Sequence, residues 1–131
     1  MIVLDTHTLV WWVTDDGLLS KKAKSVIGRE QSGGEIIVSA ISAWEITMLV
    51  TQERLVLSME VNSWLSTVAE IEGLRFLPVD VEIAAKSVQL PGTFHKDPAD
   101  RMIVATARKL SVPLVTKDEK IRSYPHVKAI W

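Results

Sequence analysis

The 131-residue chain contains no cysteine, which excludes a disulfide-stapled scaffold and any zinc site built on thiolates. A reducing, cytoplasmic setting is compatible with that lack. The start, Met1-Ile2-Val3-Leu4-Asp5, has no basic segment, and an acid interrupts its apolar run, so a secretion signal is not expected. Long hydrophobic runs are also missing. The clearest, Leu9–Val13, falls far short of the ~18–20 residues of a membrane helix, so no membrane association is expected. Neither charge dominates, with 15 basic and 16 acidic residues and a net charge of −1. A protein that coats nucleic acid through bulk charge would be basic. A polyanion must therefore be met at a local site, with a metal ion to mediate.

What is present is a core. Hydrophobic residues make up 47% of the chain, and the length suits one domain spanning residues 1–131. Ile2-Val3-Leu4 and Ile36-Ile37-Val38, within the stretch 35–39, are short apolar runs typical of strands buried on both faces. Residues 74–79 form a third such run, where Pro78 points to an edge position or an early end. Residues 112–116 and 127–130 complete the strands. Helices are expected over 6–14, from a Ser20 cap to 29, over 42–51, over 59–71 with Gly73 as the stop, over 81–90, and over 97–109. Ser32-Gly33-Gly34 reads as a turn. Pro98 suits the first position of its helix, where its missing N–H costs nothing. Strands alternating with helices specify an α/β fold, three layers (α/β/α) around a mostly parallel sheet.

Four acids stand at informative places. Asp5 follows the first strand, and Asp118 lies two residues beyond Thr116. Glu45 and Asp100 fall in the first turns of the expected helices. In a parallel sheet, strand C-termini and the following helix N-termini share the edge where ligands bind. Acids gathered there repel one another, and a hard cation such as Mg²⁺ or Mn²⁺ relieves that. Without these four acids the chain would carry a surplus of three positive charges, so a metallated cluster would attract phosphate. Unmetallated, the carboxyls should have raised pKa values.

Each acid also has a structural reading. Ser42-Ala43-Trp44-Glu45 fits a capping box, which base rates favour for Glu45 taken alone. Asp97 fits a helix cap and an i,i+4 partner for Arg101. Asp100 would sit at the third helical position, favourable for the dipole, and Asp118 can open a turn. Asp5 has the fewest structural excuses. The set, rather than any member, carries the inference.

The set resembles the PIN-domain family, and within it the VapC toxins of toxin–antitoxin pairs. The likeness spans nearly the whole chain, through Ile2-Val3-Leu4-Asp5-Thr6-His7, Val38-Ser39-Ala40-Ile41-Ser42-Ala43-Trp44-Glu45, His95-Lys96-Asp97-Pro98-Ala99-Asp100-Arg101 and Leu114-Val115-Thr116-Lys117-Asp118. By this resemblance Asp5, Glu45, Asp100 and Asp118 bind metal and are catalytic. Asp97 is an alternative ligand or lies just behind the ligands, where Thr6 and Thr116 orient carboxylates. The resemblance further implies Mg²⁺-dependent RNA hydrolysis by activated water, a homodimer, and inhibition by a VapB-like antitoxin.

His7, His95, Arg101 and Lys117 are candidate RNA contacts, although solvent-facing histidines and an Asp-paired arginine are the commoner outcomes. Trp11, Trp12 and Trp44 are candidate partner anchors. Adjacent helical residues point ~100° apart, so Trp11 and Trp12 cannot both face the sheet, and one is expected to be partly exposed. Two other readings use acids at strand ends. One is a receiver-like Mg²⁺-binding signalling domain, in which Lys117 would serve as the late-strand lysine. The other is a PIN-fold binding module without catalysis. A haloacid-dehalogenase-like phosphatase would need an acid two residues after Asp5, where His7 stands.

Overall fold

Alternate residues of the strands enter different cores, and this sets the layers. Ile2 and Leu4 lie in one cluster and Val3 in the other, as Ile36 and Val38 are separated from Ile37, and Val115 from Leu114. Both faces of a strand must therefore be covered. In the computed structural model, which describes residues 1–131, the elements run β1 (Ile2–Leu4), α1 (Thr6–Val13), α2 (Lys21–Gly33), β2 (Ile36–Ser39), α3 (Ala40–Thr51), α4 (Val61–Ala69) and β3 (Leu74–Leu77). They continue as α5 (Val81–Val88), α6 (Pro98–Leu110), β4 (Leu114–Val115), α7 (Glu119–Arg122) and β5 (Ala129–Ile130).

The sheet has the order β3-β2-β1-β4-β5, and every pairing is parallel. One face is packed by Leu9 and Val10 of α1, Ala23, Val26 and Ile27 of α2, Ile46 of α3, and Trp64 and Val68 of α4. The other is packed by Ile83 of α5, Ile103, Val104, Ala105 and Ala107 of α6, and Ile121 of α7. The three-layer expectation holds. Strands of two to four residues persist because each fully buried aliphatic side chain contributes roughly 1.5–3 kcal/mol.

Every helix is N-capped by a side-chain acceptor, Asp5, Ser20, Ser39, Glu60, Asp80, Asp97 and Asp118 in chain order. Several boundaries depart from the sequence expectation. Helix α2 runs on through Ser32 and Gly33, where a turn was expected, and ends against Gly34. Helix α3 begins at Ala40 with Ser39 as its cap, so Ser42 is no cap and the capping box does not form. Helix α4 is shorter than 59–71, because Glu60 caps it with both carboxylate oxygens. Strand β4 keeps only two residues, the ladder beginning after Pro113. Strand β3 lies at the sheet edge and stops at Leu77, as Pro78 suggests.

Gly73 lies beyond the end of α4, in the turn into β3, with φ +84°. A Cβ there would stand 2.8 Å from the backbone oxygen of Gln31. Gly73→Ala therefore adds backbone strain to a clash, and is expected to cost about 2 kcal/mol or more in urea unfolding. A change below about 0.5 kcal/mol would show that this turn adapts freely.

Candidate metal and phosphodiester site

From β1 the chain moves to β2 and β3 on one side, then returns to place β4 and β5 on the other. The C-terminal ends of β1 and β4 thus flank the point where the connections diverge, the usual ligand crevice of an open parallel sheet. Register does the rest. Leu4 is level with both Val38 and Val115, so Asp5 emerges beside Ser39 and Thr116. A cavity of about 700 Å³ opens there, and Asp5, Glu45, Asp97, Asp100 and Asp118 all line it.

Asp5 is the floor, 7% exposed. One carboxylate oxygen accepts from the Thr8 N–H at 2.9 Å, capping α1, and the other accepts a short hydrogen bond from the Thr116 hydroxyl. Burial raises the pKa of Asp5 more than these bonds lower it. Thr116 in turn accepts from the Asp118 N–H at 3.0 Å. Asp118 uses one oxygen to cap α7, accepting from Lys120 and Ile121 N–H at 2.8 and 3.2 Å.

Glu45, in the second turn of α3, accepts from the Thr6 hydroxyl at 2.5 Å. Having given its proton there, Thr6 accepts from the buried Ser42 hydroxyl at 2.9 Å. Ser42 thus fixes Glu45 through Thr6, not through a cap. Its spacing from Glu45 suggested only the capping box, and nothing local reveals a partner 36 residues away.

Asp97 caps α6 by accepting from the Asp100 N–H at 3.0 Å. This places Asp100 in the first helical turn, with Oδ2 3.0 Å from His95 Nε2. That nitrogen is buried and has no hydrogen-bond partner. Burial first, then the charges of Asp97, Asp118, Glu45 and Asp5, push Asp100 up to about 7. Burial and crowded negative charge together thus favour the protonated carboxyl.

Glu45, Asp97, Asp100 and Asp118 each keep one oxygen without a protein donor. An all-carboxylate donor set suits a hard divalent cation. No three of the acids and histidines form a ready-made cage. The carboxylates are instead held apart by their caps and hydroxyl partners, and coordination requires them to draw together.

The sequence pattern of the family described as PIN domain matches residues 2–127. The chain belongs to the PIN-domain family. It is 39% identical over 129 residues to Ribonuclease VapC22 of Mycobacterium tuberculosis (strain ATCC 25618 / H37Rv), covering 98% of this chain and 95% of that one. VapBC2 from Rickettsia felis, solved bound to a DNA fragment from their promoter, superposes with a TM-score of 0.72 at 17% identity, covering 99% of this chain and 98% of that one. FitAcB from Neisseria gonorrhoeae superposes with a TM-score of 0.64 at 24% identity, covering 100% of this chain and 97% of that one. These two structures share the PIN fold.

Among the other candidates, His7, His95 and Lys117 line the cavity, joined by Lys120, which the sequence did not single out. Its place becomes readable only once α7 exists. Arg101 does not pair with Asp97 and does not line the cavity. Its guanidinium donates to the carbonyls of Ser87 at 2.7 Å, Phe94 at 3.0 Å, His95 at 3.1 Å and Val88 at 3.3 Å, tying the loop that carries His95 to the end of α5. One of Trp11 and Trp12 was expected to be partly exposed; both are, and they diverge. Trp12 packs against the first core cluster, and Trp11 lines the acidic cavity. Trp44 is 58% exposed.

A carboxyl raised from 3.8 to about 7 binds a proton on folding, so its contribution to stability is lost as pH rises through that window. In EDTA at pH 8, Asp100→Asn is expected to melt about 5–10 °C above wild type, with the advantage shrinking toward pH 4. A variant no more stable than wild type at pH 8 would show that the acids do not strain the fold.

Proposed function

We propose that the chain is a metal-dependent endoribonuclease, the toxin of a VapBC-type pair, hydrolysing RNA phosphodiester bonds in the acidic cavity. The observation that carries the reading is the meeting of Asp5, Glu45, Asp100 and Asp118, from four separate segments, at the divergence point of the sheet. Ribonuclease VapC22, at 39% identity, supports the activity and the choice of RNA.

Asp5, Glu45, Asp100 and Asp118 would hold Mg²⁺, with Mn²⁺ equally suited to oxygen donors. The bound cation supplies Lewis acidity that activates water and steadies the leaving oxygen. Asp97 fixes the start of α6 and offers one further oxygen. Thr6 and Thr116 aim the carboxylates of Glu45 and Asp5. Lys117 and Lys120, at the cavity wall, provide positive charge for RNA phosphates. Neither His7 nor His95 is needed as a base, since activated water needs none.

A VapB-like antitoxin is the partner expected for such a toxin. Trp44 and Met48 line a separate cleft of about 390 Å³, shared with Pro98 and Ala99 and touching Glu45. That cleft suits an apolar anchor close enough to block the site. A homodimer and a cytoplasmic location, where RNA is met, complete the reading. No helix is long and apolar enough to cross a membrane.

A receiver-like domain is disfavoured by topology. Flavodoxin-like sheets have the order 2-1-3-4-5, whereas this sheet runs β3-β2-β1-β4-β5. A PIN-fold binding module without catalysis is separated by assay. Purified protein is expected to cut single-stranded RNA in millimolar Mg²⁺ and to stop in EDTA. Asp5→Asn and Asp118→Asn should each lower the rate at least about 100-fold. Cleavage that survives EDTA, or folded wild type that cuts no RNA, would contradict the proposal.

A further inference from the structure

The lining of the acidic cavity contains eleven residues, of which one is hydrophobic. That residue is Trp11, half-buried on α1. An indole in a polar cavity is out of place as core, since the sheet-facing positions of α1 belong to Leu9 and Val10. Its position is fixed from two sides. The Trp131 ring meets it edge-on at 5.8 Å, and the His7 ring, one helical turn back, lies 5.8 Å away at 47°.

The Lys117 ammonium stands over the Trp11 ring, 5.9 Å from its centroid. This is a long contact made by an exposed, flexible side chain, and such contacts are weaker than base–aromatic stacking. A nucleobase can therefore displace the ammonium from the ring, freeing Lys117 for a phosphate. Trp11, Lys117 and Lys120 thus offer a π-surface and positive charge in the same cavity as the carboxylates. With a cation on the carboxylates, the two lysines add positive charge that attracts phosphate.

We propose that Trp11 is a stacking platform for a nucleobase of single-stranded RNA, one that flanks the cleaved phosphate, with Lys117 exchanging from the ring to the backbone. This deepens the nuclease reading and rests on it. Trp11 fixes which nucleotides are held beside the cation site, so it determines the cleavage position, and the chemistry stays with the carboxylates. Stacking tolerates any base, so the preference concerns unpaired RNA more than sequence.

The test uses the full chain in Mg²⁺ and a dye-labelled single-stranded RNA dodecamer that the wild type cuts. An abasic residue is moved along the dodecamer, and KM and kcat are measured for wild type, Trp11→Phe and Trp11→Ala, each checked by circular dichroism and melting. One abasic position is expected to raise the wild-type KM about tenfold with little change in kcat. Trp11→Ala should raise KM similarly on intact RNA and lose sensitivity to that position, while Trp11→Phe stays within about threefold of wild type. Folded Trp11→Ala that cleaves normally but loses affinity for an antitoxin-type peptide overturns the proposal in favour of a partner surface. Equal abasic sensitivity in wild type and Trp11→Ala also overturns it, and leaves the nuclease reading standing. A wild type that cuts no RNA removes both.

Discussion

Repulsion among five carboxylates in one cavity is the constraint around which the rest of this structure is arranged. Like charges in a partly dry site disfavour ionisation, and Asp100 registers it with a pKa pushed up to about 7. The fold tolerates the crowding because each acid is tied to a local donor. Asp5, Asp97 and Asp118 cap helices α1, α6 and α7, and Glu45 is held by Thr6. Each bond is worth only about 1–3 kcal/mol, yet together they hold the carboxylates apart around one cavity without a cation. Acids crowded in this way cost stability, and the cost falls at the C-terminal edge of the sheet.

Capping and metal binding are therefore not competing explanations for these acids. An N-cap uses one carboxylate oxygen for backbone N–H groups, as Asp97 and Asp118 do, and leaves the other free. In the sequence alone the two roles compete at each acid. In the structure Asp97 and Asp118 cap their helices and still keep one oxygen free of protein donors. For Glu45 the cap reading fails outright, because Ser39, one residue after the last β2–β1 pair, begins the helix before Ser42 can.

Much of the fold was legible because its signals are local. Apolar triplets mark β1 and β2, Ser20 and Asp97 mark helix starts, and Pro78 marks an edge strand. Boundaries set by tertiary pairing were not legible. The ladder at β4 is only two residues long, and α7 forms because Asp118 caps it at the cavity. The site was legible as a list of acids at strand ends. Of what holds them, Thr6 and Thr116 were legible through the family resemblance, but Ser42 was not, since its bond to Thr6 joins residues 36 positions apart. Arg101 shows the same limit in reverse. A neighbouring Asp in sequence suggested an ion pair, but carbonyls of Ser87 and Val88 in α5 and of Phe94 and His95 in the following loop took four of its five N–H donors.

The central claim is that the strained carboxylates form one divalent-cation site. Titration calorimetry of Mn²⁺ into the metal-free protein at pH 7, in two buffers of different ionisation enthalpy, tests it most directly. With Asp100 near half-protonated at that pH, binding should release about half a proton, and the release should disappear at pH 9. Saturable binding with no proton release at pH 7, or no binding at all, would contradict the claim that a cation relieves the repulsion centred on Asp100.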